Sequence, residues 1–226
     1  MTLSAADLHV HTTCSDGHPT PEQLAERLAG SRLAVVAVTD HDTVEGALRV
    51  EEALAGRGPE IVIGSEITSA DGHVLALFLA RDVPAGMTAA NTIEAIHEQG
   101  GLAVAAHPYS LALGVGDLAA ALPFDGIEVV NGSPLMELAN ARAARRFRRS
   151  RAAHVGGSDA HVAAAVGGVR TVFPGTGAAD LRSAILGRLT RPAVDVPGRL
   201  VAWPPHLGWL TRTTLRQRSG PVGTPT

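Results

Sequence analysis

Lysine is missing altogether: all 19 basic residues of the chain are arginine. That excludes lysine-based chemistry, including the carbamylated lysine that bridges metal ions in some barrel hydrolases. The one cysteine, Cys14, has no partner for an intramolecular disulfide, so a reducing compartment, the cytoplasm, is expected. Charge is nearly balanced at −3, and no overall field draws the chain towards nucleic acid. Aromatic residues make up only 3%, leaving few rings on which bases could stack. No run approaches the roughly 18 uncharged apolar residues of a membrane span. Met1 to Asp7 has no basic stretch leading into an apolar one, so no signal peptide is expected. What is present is a chain of 226 residues, 45% hydrophobic, enough for one domain with a substantial core. Histidine is unusually common at ten residues, which matters only if they converge.

Short apolar runs alternate with helical patterns. Asp7–His11, Leu33–Val38, Ile61–Ile67, Val74–Leu79, Leu102–Ala106, Gly126–Val130, Ala153–Gly157 and Val169–Phe173 read as strands. Thr20-Pro21-Glu22-Gln23 reads as a capping box opening a helix that Gly30 ends. Asp42 is placed to cap the next helix, Thr92–Gln99 is a third, and others fall near Pro134–Arg149 and Ala178–Arg188. Repeated strand–helix units predict an α/β fold with a parallel sheet, closed or nearly closed. Residues 1–196 form the expected domain. Residues 197–226, rich in Pro and Arg and carrying Trp203, Leu207 and Trp209, read as a partly disordered appendage docked on it by those apolar residues.

The histidines and acids stand at strand ends. His9 and His11 are two apart, so the pleat sends both to one side, and Asp16 follows in the next loop. His41 lies in Thr39-Asp40-His41-Asp42, Glu66 in Gly64-Ser65-Glu66, His107 after Leu102–Ala106, and Asp159 and His161 in Ser158-Asp159-Ala160-His161. In a parallel barrel these ends share one rim, where active sites form. Any one of these histidines alone would pass for a hydrogen-bonded surface residue. Their recurrence at several strand ends makes a shared site the better reading. Gly64, Gly156 and Gly157 lie just ahead of such positions, where a missing side chain permits close approach.

This series of motifs resembles the polymerase and histidinol phosphatase (PHP) family, over roughly residues 5 to 195. The resemblance implies a distorted (β/α)7 TIM-like barrel with a trinuclear metal site. It implies that His9, His11, Glu66 and Asp159 hold one ion, that Glu66 bridges to a second held by His73 and His107, and that Asp16, His41 and His161 hold a third. His73 fits least well, since it precedes its strand in Asp71-Gly72-His73.

Imidazole and carboxylate donors without thiolate suit catalytic Zn, Mn or Fe, so two or three divalent ions are the expected cofactors. Three carboxylates among nine ligands leave such a centre positive and attractive to a phosphate dianion. The expected activity is a phosphatase or phosphodiesterase acting on a small phosphorylated molecule, a nucleotide or nucleoside bisphosphate among them, with water activated by the ions as nucleophile. Glu66, Asp159 and His161 are the expected catalytic residues, and Asp7, Asp40 and Ser158 the expected orienters of imidazoles. Alternatives are a 5′-3′ exonuclease on short oligonucleotides, a histidinol phosphatase, an amidohydrolase, or a binding module that has kept the fold. Arg142, Arg145, Arg146 and Arg149 share a helix face expected to be solvated, His97 is expected to pack within its helix, and no role follows for His18, His154, His206 or Cys14.

Overall fold

The computed structural model describes residues 2–111, 113–196, 205, 206 and 208. In chain order the elements are β1 (Leu3–Asp7), α1 (Pro21–Ala29), β2 (Val35–Val38), α2 (Glu45–Leu54), β3 (Glu60–Ser69), β4 (Gly72–Leu77), α3 (Ala89–Glu98) and β5 (Leu102–Ala105). They continue with α4 (Leu118–Ala121), β6 (Gly126–Asn131), α5 (Glu137–Arg146), β7 (Ala153–Gly157), β8 (Val169–Pro174), α6 (Ala178–Leu186) and β9 (Arg191–Val194).

Helix starts follow local chemistry where a polar side chain is free to cap. At α1 the Thr20 hydroxyl accepts from the Gln23 amide and Gln23 Oε1 accepts from Thr20, as the capping box predicts. Helix α3 begins earlier than expected because Thr88 caps it, accepting from Asn91 N. Asp42 does not cap α2, which has no side-chain cap. Its carboxylate instead accepts from Thr68 N at 2.7 Å, while its own N–H donates to Glu66 O. The competing strand β3 captures it, and Asp42 takes a left-handed φ of 57°.

The strands form one sheet in the order β7-β6-β5-β4-β3-β2-β1-β8-β9. Strands β1, β2 and β3 pair in parallel, as do β5, β6 and β7. The sheet departs from parallel pairing at β4, β8 and β9. β4 is antiparallel to both β3 and β5, and β8 is antiparallel to β1 and β9. Ser69 and Gly72 pair across a turn too short for the dozen-residue crossover that a parallel return requires. The sheet curls into a nearly closed barrel. At the seam Thr171 Oγ1 accepts from Gly156 N at 2.9 Å and donates to Gly156 O at 2.8 Å, so a side chain ties β8 to β7.

Three apolar clusters hold the barrel. Leu8, Val35, Leu75, Leu77, Val104, Val155 and Phe173 meet Leu181 and Ile185 of α6 in one of them. A second joins α1 and α2 to Val36 and Val38, and a third joins α3 and α5 to Ile67, Ala103 and Ile127. Trp203, Leu207 and Trp209 lie outside the described residues, as does most of 197–226.

Candidate metal centre

The reversed strand β4 explains the residue that fitted least well. Parallel strands carry ligands at their C-terminal ends, so an antiparallel neighbour presents its N-terminal end to the same rim. His73 lies at that end, paired with Thr68. Strand β1 stops at Asp7, two residues short of His9. Beyond it the chain stays extended because Val10 bridges Ala160 in parallel and His11 N donates to Ala160 O at 3.0 Å. That bridge sets the His9–His11 segment beside the Asp159–His161 segment. His41 bridges Glu66, which stands within β3 and not at its end. His107 follows β5, and Asp159 and His161 follow β7.

All nine residues converge, and Glu66 stands among them. Its Oε1 lies 2.8 Å from His73 Nδ1 and 2.9 Å from His107 Nε2. Its Oε2 lies 3.0 Å from His9 Nε2, 3.4 Å from His11 Nε2 and 3.6 Å from His41 Nδ1. Asp159 Oδ1 is 3.4–3.5 Å from nitrogens of His9, His11 and His161. Asp16 Oδ1 is 3.1 Å from His161 Nε2, 3.7 Å from His11 Nδ1 and 3.8 Å from His41 Nε2. His9, His11 and Glu66 are buried, whereas Asp16 and His41 are partly exposed and mark the open side.

Four groups of donors in this cluster could each hold an ion: His11, Asp16, His41 and His161; His9, His11 and Glu66; His9, His107 and Asp159; and His41, Glu66 and His73. The donor chemistry fits divalent cations. Both ring nitrogens of His11, with Nδ1 of His41 and of His107, are buried without a hydrogen-bond partner among the described residues. Buried polar atoms ordinarily find one. Near-contacts such as His11 Nε2 to Asp159, at 3.4 Å, lack the alignment of a hydrogen bond.

Without ions, the charges must hold one another. Burial alone would neutralise His11, but Asp159 and Glu66 outweigh it and raise its pKa to about 9. Burial opposes charge on His9 too, yet Glu66, Asp159 and Glu128 hold it well above the usual value. Burial would raise Glu66, but the His9 charge and the His107, His11 and His73 rings keep it well below the carboxylate range. Asp16 falls to about 2 against burial, chiefly through His161. Since the folded pKa of His11 lies above the ordinary 6.5, its stabilising contribution is whole below pH 6.5 and is lost as pH rises through 9. The metal-free protein is therefore expected to lose thermal stability between pH 6.5 and 9. The Mn-loaded protein, whose imidazoles must be neutral to ligate, is expected to keep it. Parallel melting curves check this, and a metal-free protein with a flat profile would contradict it.

The acids expected to orient imidazoles hold backbone amides and loop hydroxyls instead. Asp7, whose pKa burial raises to about 6, accepts from the N–H groups of Ser158 and Gly167. Asp40 accepts from Thr12 N, Thr12 Oγ1 and Ser15 Oγ, all at 2.6–2.7 Å. Ser158 Oγ donates to His9 O. Sequence reasoning missed three residues. Glu128 and Asn131, both buried on β6, touch the centre, and an acid inside the apolar run Gly126–Asn131 was the available signal. His206, also buried, brings its ring centroid to 5.8 Å from that of His161, and no local pattern announces it. Of the others, His97 pairs with Asp125 at 2.8 Å instead of packing in the core, His154 meets Phe147 O, and Cys14 lies beside Arg49.

Residues 7–117 match the family model described as PHP domain, and residues 137–189 the one described as PHP-associated. An uncharacterized protein of Methanocaldococcus jannaschii is 40% identical over 138 residues, 56% of this chain and 81% of that protein. A phosphoribosyl 1,2-cyclic phosphate 1,2-diphosphodiesterase of Eggerthella lenta is 36% identical over 85 residues. That match covers 35% of this chain and spans only 32% of the enzyme. The crystal structure of a two-domain protein from Bacteroides vulgatus, containing a predicted PHP-like metal-dependent phosphoesterase, superposes with a TM-score of 0.72 at 21% identity. It covers 85% of this chain and 65% of that one.

Proposed function

This chain belongs to the PHP family, and on that premise we propose that it is a metal-dependent phosphoesterase, hydrolysing a phosphate ester of a small molecule at a centre of two or three divalent ions. One observation carries the reading: a single buried carboxylate, Glu66, has five imidazoles within 3.6 Å, two at one oxygen and three at the other. A bridging ligand between two ions needs that arrangement. His9, His11 and Asp159 would share the first ion with Glu66, His73 and His107 the second, and Asp16, His41 and His161 the third. Bound ions would supply Lewis acidity and lower the pKa of water to roughly 7.

The protein's own groups do the rest. Glu66 and Asp159 balance charge at the buried floor, and burial keeps bulk water from screening them. Asp16 and His41, on the open side, face the direction from which a phosphate would enter. Asp40 pins the loop that carries Asp16 by holding Thr12 and Ser15. His161 sets Nδ1 against Asp159 O, which would leave Nε2, beside Asp16, to face the third ion.

A small substrate is favoured over an oligonucleotide by the one tyrosine. Tyr109, two residues beyond His107, is stacked on Phe147 at 5.6 Å and covered by Arg142 at 4.0 Å, with its hydroxyl donating to Asp117. The ring is already engaged by Phe147 and Arg142, which disfavours its use as a platform for a base. The test is product analysis of Mn- or Zn-loaded protein on nucleoside monophosphates and bisphosphates, a ribose cyclic phosphate, histidinol phosphate, phosphotyrosine and short oligonucleotides. Small esters are expected to be cleaved with kcat/KM at least about tenfold above the oligonucleotides, the worth of one stacking contact of roughly 1–3 kcal/mol. Preference for the oligonucleotides would replace this reading with the exonuclease one. Release of ammonia or carboxylate without phosphate-ester cleavage would replace it with an amidohydrolase.

A further inference from the structure

Strand β6 supplies none of the nine converging residues, yet its Glu128 and Asn131 lie in the wall of the centre. In a regular strand, residues three apart face opposite sides. Here the pairing with β7 runs Glu128 to Val155 and then Val130 to Gly156, so β6 carries one residue more than its partner. Such a bulge re-aims the side chains that follow it. Ile127, Val129 and Val130 all pack with the core of α3 and α5. Glu128 and Asn131 both turn towards the ligands and are 1% and 0% exposed.

Glu128 uses both oxygens. Oε1 lies 3.1 Å from His9 Nδ1, while Oε2 accepts from His107 N at 2.8 Å and from Asn131 Nδ2 at 2.9 Å. Asn131 Oδ1 accepts from Ser133 N, which turns its amide nitrogen towards Glu128 and towards Asp159 Oδ2 at 3.3 Å. The two side chains therefore touch His9, His107 and Asp159, which together form one of the candidate ion-holding groups. The Asp16–His41–His161 group is organised about Asp16 Oδ1 instead.

These contacts act on ligation in two ways. A neutral imidazole carries one N–H, and a carboxylate at Nδ1 keeps it there. Nε2 of His9 then presents its lone pair towards Glu66 and Asp159, at 3.0 and 3.5 Å. His107 has a φ of 24°, which a residue with a side chain rarely adopts. The charge-assisted bond from its N–H to Glu128 helps to hold that conformation. Gly157 makes room, since a Cβ there would lie 2.5 Å from His9 Cβ and 2.6 Å from Glu128 Oε1.

We propose that Glu128, oriented by Asn131, is the positioning residue of the centre. It sets the His9 tautomer and the His107 backbone, and so governs the affinity of the ions held through those two residues without touching substrate. The inference rests on the metal-centre reading above.

The test is titration of metal-stripped Glu128→Gln with Zn against a chromophoric chelator, beside the wild type. The sites that use His9 and His107 are expected to weaken by about 10–100-fold, the usual cost of losing such a partner, with the Asp16–His41–His161 site unchanged. In steady-state assays the Mn concentration for half-activity is expected to rise while kcat recovers at saturating Mn, which a general packing defect would not produce. Asn131→Ala, which keeps the carboxylate, should weaken the same sites less and decides the matter if Glu128→Gln does not fold. Wild-type affinities in the folded variant, or equal weakening at every site, would overturn the proposal alone. A wild type that takes up no metal would overturn the metal-centre reading with it.

Discussion

Glu66→Gln is expected to purify folded, to lose bound ions and to fall in kcat by on the order of 10³-fold, the scale of removing a group that stabilises charge in the reaction. Glutamine keeps the size of the side chain and one acceptor oxygen. Its NH2 must then face either His73 and His107 or His9 and His11, a donor set against nitrogens that need to give lone pairs. One negative charge also leaves a buried cluster in which it holds several imidazoles. Metal analysis and single-substrate kinetics check both halves, with Cys14→Ala, whose thiol lies beside Arg49, retaining metal and turnover as the control. A fully active Glu66→Gln protein would remove the bridging role.

Stripping the ions is expected to abolish turnover and to lower the melting temperature together. An ion present at a hundred times its Kd stabilises the folded chain by about 2.7 kcal/mol. For a domain of this size that is worth roughly 5–10 °C per ion. The effect is large here because the ligands are buried, and in the stripped protein several ring nitrogens, both of those of His11 among them, face carboxylates without the alignment of hydrogen bonds. Thermal melts with chelator, and after Mn or Zn is restored, measure it. Full activity in chelator would sink the metal mechanism, whereas a stability change without an activity change would reduce the ions to a structural role.

Much of this was legible in the order of residues. Apolar runs such as Val35–Val38 and Leu102–Ala105 announce buried strands because both of their faces are covered. Thr20 and Gln23 announce a helix start because a capping box acts locally. Asp42 misled because a cap and a cross-strand acceptor use the same carboxylate, and β3 competes more strongly than the helix. Asp7 and Asp40 belong to the supporting structure as expected, but they grip loops and not rings. Glu128 shows in the sequence only as an acid inside an apolar run, because its place at the centre depends on a bulge that no pattern in residues 126–131 declares.

The sequence by itself determined the kind of chemistry: imidazole and carboxylate donors without lysine or paired thiols, placed at the ends of apolar runs. The tertiary structure alone decided which donors share a neighbour. His9 meets Glu66, Glu128 and Asp159 only because the barrel closes, and His73 joins them only because β4 runs backwards. The physical reason is range. Capping and alternation act over a few residues, whereas ligand distances across the chain are set by strand direction, register and closure, which no short segment encodes.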